Sequence, residues 1–249
     1  MDIIAVHDLT VGYGNVEILR ELRFSIPARE ITAVVGTSGC GKSTLLKTLA
    51  GLLPPLAGKV LFRSEPVDFL SEASLGSIFR GIGVLYQDGA LLNNLTLFEN
   101  VALPVRMRHP DLPETVLREL VHDRLNQVGL LHGAAKYPSE LSGGMRKRGA
   151  LARALVTDPA VVLCDEPSSG LDPITSGRLD ELLLCLRDDF GMTFVVVTHE
   201  LRSIAKIADR VLIINEGRLH LSGGLAEVMG SDDPFVQTFF LRKVDHDDA

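Results

Sequence analysis

Gly36-Thr37-Ser38-Gly39-Cys40-Gly41-Lys42-Ser43-Thr44 stands between the apolar run Ile31-Thr32-Ala33-Val34-Val35 and the helix-forming run Leu45-Leu46-Lys47-Thr48-Leu49-Ala50. The order is strand, phosphate loop, helix. Glycines at 36, 39 and 41 let the backbone curl until successive N–H groups point at one anion. The helix that follows adds the partial positive charge of its N-terminus. Lys42 supplies a full charge for β and γ phosphates, and Ser43 offers a hydroxyl to a bridging Mg²⁺ ion. A glycine-rich turn that only resembles this pattern is the competing reading, and the buried-type strand before it and the helix after it argue against that turn.

Working outward, the 249 residues are 46% hydrophobic and 23% charged, enough to bury the core of one large α/β domain with a subdomain. The longest apolar runs, such as Ala160 to Cys164 and Phe194 to Val197, fall far short of the roughly 18 residues that cross a bilayer. The first residues lack a basic region followed by a long apolar stretch, so a cytosolic chain is the expectation. A net charge of −7 argues against general affinity for nucleic acid or anionic lipid. Cys40, Cys164 and Cys185 have no C-x-x-C spacing, which suggests neither a disulfide framework nor a zinc site. Cys40 and Cys164 read as small residues filling tight places.

Upstream of the loop, Ile3 to Val11 and Leu22 to Ile26 alternate apolar and polar positions, as in half-exposed antiparallel strands. Tyr13, in the Gly-rich turn between them, is a plausible platform for adenine. Downstream, Gly58 to Arg63 reads as an edge strand, Ser71 to Arg80 as a short helix, and Ile82 to Tyr86 as a buried strand ending at Gln87. From Thr96 to Val156 the period becomes helical, with Val116, Leu117, Leu120, Val121, Leu125 and Val128 expected on one inner face. The core resumes with the apolar strand Ala160 to Glu166, a helix from about Ile174 to Phe190 and the strand Thr193 to Val197. A helix over Glu200 to Ala208 and strands over Arg210 to Asn215 and Arg218 to Leu221 follow. In the tail, Phe235, Val236, Phe239 and Phe240 recur at helical spacing before the acidic Asp245-His246-Asp247-Asp248. These four apolar residues need burial, either on the chain's own core or, as the preferred expectation, as a clasp on a partner subunit.

Two constellations carry chemistry. Asp165 and Glu166 end an apolar strand, where Asp165 can hold Mg²⁺ and Glu166 can deprotonate the water that attacks the γ phosphate. His199 follows the next buried strand at the same end of the sheet, within reach of that phosphate. The second constellation is Leu141-Ser142-Gly143-Gly144-Met145 ahead of the basic helix from Arg146 to Arg153. Ser142 alone reads as a helix N-cap, but the glycine pair makes a second anion site, whose phosphate must come from elsewhere.

At Leu141-Ser142-Gly143-Gly144 the chain resembles the ATP-binding cassette (ABC) ATPases over nearly its whole length. The family's motifs fall in order on Tyr13, on Gly36 to Thr44, on Gln87, on Ser142 to Met145, on Val161 to Glu166, on Ser169-Gly170-Leu171-Asp172 and on His199. The resemblance implies a P-loop NTPase (RecA-like) α/β core over residues 1–87 and 158–225. An antiparallel β edge belongs to that core, an α-helical signature subdomain is inserted at 88–157, and a helical tail covers 226–249. It implies ATP and Mg²⁺ as cofactors, Glu166, His199 and Gln87 as catalytic residues, and Ser43, Gln87 and Asp165 around the metal. Tyr13, Gly36 to Thr44 and Asp172 would contact nucleotide. Ser142, Gly143 and Gly144 would act on the ATP of a second copy in a head-to-tail dimer, and alkylation of Cys40 should slow when that dimer closes.

Within the family, Gly143-Gly144-Met145-Arg146-Lys147-Arg148, Gly89-Ala90-Leu91-Leu92, Leu97 to Pro104 and Asp172-Pro173-Ile174-Thr175-Ser176 look like the ATPases of Mla and Mce lipid transporters. That resemblance implies an MlaE-type permease and an MCE-domain lipid-binding protein as partners, and no nucleic acid. It also implies a peripheral position on the cytoplasmic face of the inner membrane. The alternatives are the ATPase of another small-solute ABC importer, a soluble ABC regulator, and a P-loop nucleotide sensor without hydrolysis. The presence of both Glu166 and His199 counts against the sensor.

Overall fold

Strand β3 (Ile31–Gly36) is buried at every position and delivers the chain to the phosphate loop. In the computed structural model, which describes residues 1–241, β3 lies inside a six-stranded sheet. Its neighbours are β6 (Ile82–Leu85), β7 (Val161–Asp165), β8 (Phe194–Val197), β9 (Arg210–Asn215) and β10 (Arg218–Gly224). The order is β10-β9-β3-β8-β7-β6, parallel except for the β9–β10 hairpin. Because β7 and β8 are parallel and in register from Val162↔Phe194 to Asp165↔Val197, Asp165, Glu166 and His199 leave the sheet at one end.

Alternation along the central strands splits their side chains between two cores. Val162 and Cys164 of β7 and Phe194 and Val196 of β8 face a cluster shared with the helices α3 (Leu97–Arg108), α4 (Glu114–Gln127) and α5 (Gly143–Leu155). Val161, Leu163, Val195 and Val197 face the opposite side, against α1 (Lys42–Leu49) and a second sheet. That second sheet is antiparallel, of order β2-β1-β4-β5, built from β1 (Asp2–Tyr13), β2 (Val16–Pro27), β4 (Ala57–Phe62) and β5 (Glu65–Pro66). The fold is thus a mixed α/β P-loop architecture with an antiparallel edge, as the sequence pattern predicts. The helical segment shares one continuous apolar core with a face of the parallel sheet.

Some local expectations shift. β1 runs on through Gly12 and Tyr13, and the reversal falls at Gly14-Asn15 instead. Gly12 permits this because a Cβ there would lie 1.9 Å from the Val16 carbonyl oxygen across the hairpin. On α4, Leu117, Val121 and Leu125 are buried at four-residue spacing, but Val116 is exposed. It sits about 100° round the helix from Leu117, outside the stripe that meets α3 and α5. α2 (Glu72–Gly81) starts one residue after its Ser71 cap, and α6 (Pro173–Phe190) and α7 (Leu201–Ile207) fall within a residue of expectation. The short α8 (Leu225–Met229) opens the helical tail expected from residue 226.

The tail corrects the preferred reading of its apolar residues. α9 (Pro234–Leu241) lays Val236 onto Ala33, Val35, Ile204, Val211, Ile213 and Val228 of the same chain, with Phe235, Phe239 and Phe240 around it. Asp233 starts the helix by accepting hydrogen bonds from the Phe235 and Val236 N–H groups at 2.9 and 3.0 Å. His220 on β10 holds the same carboxylate at 3.0 Å and meets Phe235 in a tilted ring contact, with centroids 4.9 Å apart. Four apolar residues therefore find their burial site at home, and the clasp is not needed to explain them. The acidic run Asp245 to Asp248 lies outside the described residues. Because Val236 is 1% exposed, Val236→Ala should cost about 1–3 kcal/mol in a urea titration of the nucleotide-free chain. An unchanged midpoint would mean that α9 is not docked on this core.

Among the described residues no helix is long and apolar enough to cross a membrane, and no cluster of three or more His, Cys, Asp or Glu could hold a metal by itself.

Candidate functional site

The phosphate loop ends at Gly41, whose φ of 104° lies in the left-handed region that favours glycine, and α1 begins at the next residue. This geometry places Lys42 at the first position of the helix. Its ammonium donates to the Gly36 and Thr37 carbonyls, each at 2.9 Å, folding the loop around its own charge. Both carbonyls are weak partners for an ammonium compared with phosphate oxygens, so the same lysine is set to exchange them for an anion.

Two adjoining recesses open over this loop. One, of about 490 Å³, is lined by Gly36, Thr37, Ser38, Lys42, Glu166, His199, Thr238 and Phe239. The other, of about 400 Å³, is lined by Ser38, Gly39 and Gly41 to Thr44 of the loop together with Ile18, Gln87, Glu166, Val197 and His199. The topology thus brings Lys42, Ser43, Thr44, Gln87, Glu166 and His199 to one place, from four strands distant in sequence.

Ser43 and Asp165 form the polar floor: the Ser43 hydroxyl lies 3.3 Å from Asp165 Oδ1. Burial pushes the Asp165 carboxyl above the usual range, Ser43 pulls it back through that hydrogen bond, and the neighbouring Glu166 pushes it up again. A carboxylate whose charge is penalised in this way gains most from a nearby cation. A hydroxyl and a carboxylate side by side beneath the phosphate loop are hard oxygen ligands, which suit Mg²⁺. Beside them Cys164 is fully buried, and burial raises its thiol to about 12, so it stays protonated and inert.

Glu166 is held in an unusual way. Its φ is 47°, a left-handed conformation that costs of order 1–3 kcal/mol for such a residue and persists only where the surroundings over-determine it. The Glu166 N–H donates to the Val197 carbonyl at 2.9 Å, and its own carbonyl accepts from the Ser169 N–H at 3.2 Å. The bend throws the side chain into the recess, where Oε1 lies 2.8 Å from His199 Nδ1. An ionised carboxylate can only accept, so Nδ1 carries the proton in this pair. Glu166 Oε2 is buried with no hydrogen-bond partner among the described residues. Glu166 lines both recesses and keeps one carboxylate oxygen unfilled, which fits a residue able to accept a hydrogen bond from a water molecule.

Of the remaining sequence candidates, Tyr13, Asp172 and Ser142 lie apart from this centre, and Gln87 lies at its edge. Tyr13 is half exposed at the end of β1, its hydroxyl 3.4 Å from Lys47 Nζ, and it lines neither recess. Gln87 is weakly tethered, its side-chain nitrogen 3.5 Å from the Ser169 hydroxyl. Asp172 caps α6, accepting from the Ile174 and Thr175 N–H groups at 3.1 and 3.0 Å and from the Thr175 hydroxyl at 2.6 Å. Those bonds hold its carboxyl below the usual carboxylate range and occupy it locally. Ser142 caps α5, accepting from the Met145 N–H at 3.3 Å. With Gly144, Arg148 and Arg178 it lines a separate recess of about 170 Å³, and neither loop recess includes it. Cys40 is buried against the core, 3.8 Å from Lys42 Nζ, so its alkylation is already restricted in a single chain and reports poorly on closure.

Sequence reasoning missed three contributors: Thr238 and Phe239, which the fold brings back over the loop, and Lys147, read only as part of a basic helix. Lys147 is 6% exposed. Its signal was periodicity, because positions 144, 147, 150, 151, 154 and 155 form the buried face of α5.

Comparison with known proteins agrees with this geometry. The chain is 39% identical over 236 residues to "Probable ribonucleotide transport ATP-binding protein mkl" of Mycobacterium leprae, covering 95% of this chain and 68% of that one. It is 38% identical over 244 residues to "Intermembrane phospholipid transport system ATP-binding protein MlaF" of Haemophilus influenzae, covering 98% and 92%. Among solved structures, a component of the cbiONQ ABC transporter complex of Clostridium perfringens superposes with a TM-score of 0.85 at 30% identity, covering 98% of each chain. A dimeric ATP-binding cassette in a post-hydrolysis state with ADP and phosphate superposes with a TM-score of 0.80 at 29% identity, covering 89% of this chain and 98% of that one. The sequence profile described as ABC transporter matches residues 19–169, and the chain belongs to the ABC transporter family as one of its ATP-binding cassette ATPases.

Proposed function

We propose that this cassette hydrolyses Mg²⁺-ATP in a head-to-tail dimer and thereby drives phospholipid transport between envelope membranes. The observation that carries the chemistry is the meeting of Lys42, Ser43, Asp165, Glu166 and His199 around one pair of recesses. In this reading the phosphate loop from Gly36 to Thr44 holds the phosphates and Tyr13 stacks on adenine. Ser43, Asp165 and Gln87 would hold Mg²⁺, which would supply charge neutralisation on the phosphates. Glu166 takes a proton from the attacking water while His199 fixes the carboxylate and reaches the γ phosphate. Ser142, Gly143 and Gly144 close over the ATP of the second copy, with Asp172 beside that junction. Two facts support the dimer: the signature recess is separate from the loop recesses on one chain, and a related cassette is dimeric.

The cargo is not written on the ATPase, which touches nucleotide and partner proteins and not the transported molecule. Phospholipid is the reading favoured here because the Haemophilus relative matches over 92% of its own length. The mycobacterial relative's name points to ribonucleotides, and this chain spans a smaller part of it. A permease of MlaE type, an MCE-domain protein and a position on the cytoplasmic face of the inner membrane belong to the same proposal. So does the division into a core over 1–87 and 158–225, a helical segment over 88–157 that moves with the permease, and a tail over 226–249.

The test is transport. The cassette is co-purified in detergent with an MlaE-type permease and placed in phospholipid vesicles. ATP should then drive transfer of a fluorescent phospholipid to acceptor vesicles, and the Glu166→Gln complex should not. ATP-driven uptake of a nucleoside phosphate with no phospholipid transfer would overturn the cargo and leave the ATPase standing.

A further inference from the structure

Lys147 lies on the buried face of α5, the helix capped by Ser142, and its ammonium sits between two backbone carbonyls. It donates to the Gln87 carbonyl in a short contact and to the Glu166 carbonyl at 3.2 Å. The first carbonyl lies two residues past the end of β6, the second one residue past the end of β7. One ammonium therefore joins the signature helix, the Gln87 loop and the residue proposed as the base.

A buried ammonium is costly unless it is paired. Burial does lower the Lys147 basicity, and the surrounding acids Asp88, Glu166, Glu200 and Asp165 act in the opposite sense, favouring the charged form. A methionine or leucine would pack against Ala150 and Leu151 without that cost, so the cation at this position calls for a role beyond packing. The place where it acts is also the strained one. Glu166 has its left-handed φ of 47°, and the direction of its side chain follows from that backbone bend. The carbonyl that Lys147 grips is Glu166's own, at the bend.

We propose that Lys147 is a positioning residue for hydrolysis: it holds the Glu166 backbone and the Gln87 loop in the geometry that aims the Glu166 carboxylate at the water. It touches neither nucleotide nor water itself. The inference rests on Glu166 being the base. It adds that the signature helix and the base are mechanically joined within one chain, so a displacement of α5 is felt at Glu166.

The experiment compares Lys147→Met, Lys147→Gln and Lys147→Arg in the full chain, with Mg²⁺-ATP as the probe. Rates are divided by the concentration of ATP-binding sites measured on the same sample, which removes any unfolded fraction. Met and Gln should lower kcat by about ten- to hundred-fold, the loss typical of groups that orient a catalytic ligand. KM and ATP affinity should stay near those of the parent chain, and Arg, which keeps the charge and two donors, should restore most of the turnover. Met removes the Lys147 donor from the Gln87 carbonyl and leaves the Glu166 carbonyl only its Ser169 N–H, which lowers the melting temperature; Gln keeps a donor and guards against a variant that fails to fold. An unchanged kcat in Met and Gln overturns the proposal, as does a deficit that resides in ATP affinity or vanishes on normalisation. Full hydrolysis by Glu166→Gln would instead remove the base on which the inference rests, so the two failures are told apart.

Discussion

Glu166→Gln should bind ATP as well as the parent chain and hydrolyse it about 10²–10⁴-fold more slowly, the range lost with a positioned general base. Gln has the same shape, and its side-chain oxygen can take the place of Glu166 Oε1, which lies 2.8 Å from His199 Nδ1, and accept the same hydrogen bond. It cannot take a proton. The groups proposed to hold phosphate and metal, Lys42, Ser43 and Asp165, are untouched, so nucleotide affinity should survive while the proton acceptor is lost. With the amide oxygen on His199, an NH2 group takes the place of the buried, unpartnered Oε2, and the negative charge is lost. Phosphate release reads the turnover, equilibrium dialysis reads ATP affinity, and size-exclusion chromatography with ATP should reveal an accumulated dimer. Rapid hydrolysis by this variant would place the proton acceptor elsewhere in the recess.

Most of the fold was legible because its signals are local. The period-2 and all-apolar runs of Ile31 to Val35, Val161 to Cys164 and Phe194 to Val197 mark central parallel strands, and those are the strands the sheet contains. The meeting of Lys42, Gln87, Glu166 and His199 at one place was legible for a related reason: these four follow such strands, and parallel strands deliver their ends to one edge, whereas Tyr13, Ser142 and Asp172 follow none of them. What pattern reading lost was long-range. Phe235, Val236, Phe239 and Phe240 announce a need for burial without naming the surface, and only the chain path places α9 on Ala33 and Val35. The left-handed bend at Glu166 has no signature, because glutamate rarely adopts it and nothing nearby in sequence demands it. Lys147 was overlooked because charge suggests the surface, although its place in the periodicity of α5 puts it inside.

The second large effect concerns two copies at once. Lys42→Ala removes the ammonium from the phosphate loop and should lower hydrolysis by about 10²–10³-fold, as loss of a charged clamp on a transition state does. Gly144→Val should abolish it by another route. A Cβ at Gly144 would lie 2.4 Å from Thr175 Cγ2, so the recess formed by Ser142, Gly144 and Thr175 would be forced open. Each variant alone carries the same defect at both sites of a dimer. In a mixed dimer the two defects fall on one site, and the other unites an intact phosphate loop with an intact signature. With equal amounts, half of the dimers are mixed and each has one whole site of two, so activity should return to about a quarter of the parent value. Differently tagged chains, co-purified after mixing with ATP, establish that mixed dimers form, and phosphate release then reads their activity. If mixed dimers form yet stay as inactive as their parts, the site is not shared between copies, and Ser142 to Gly144 must serve a ligand other than the partner's ATP.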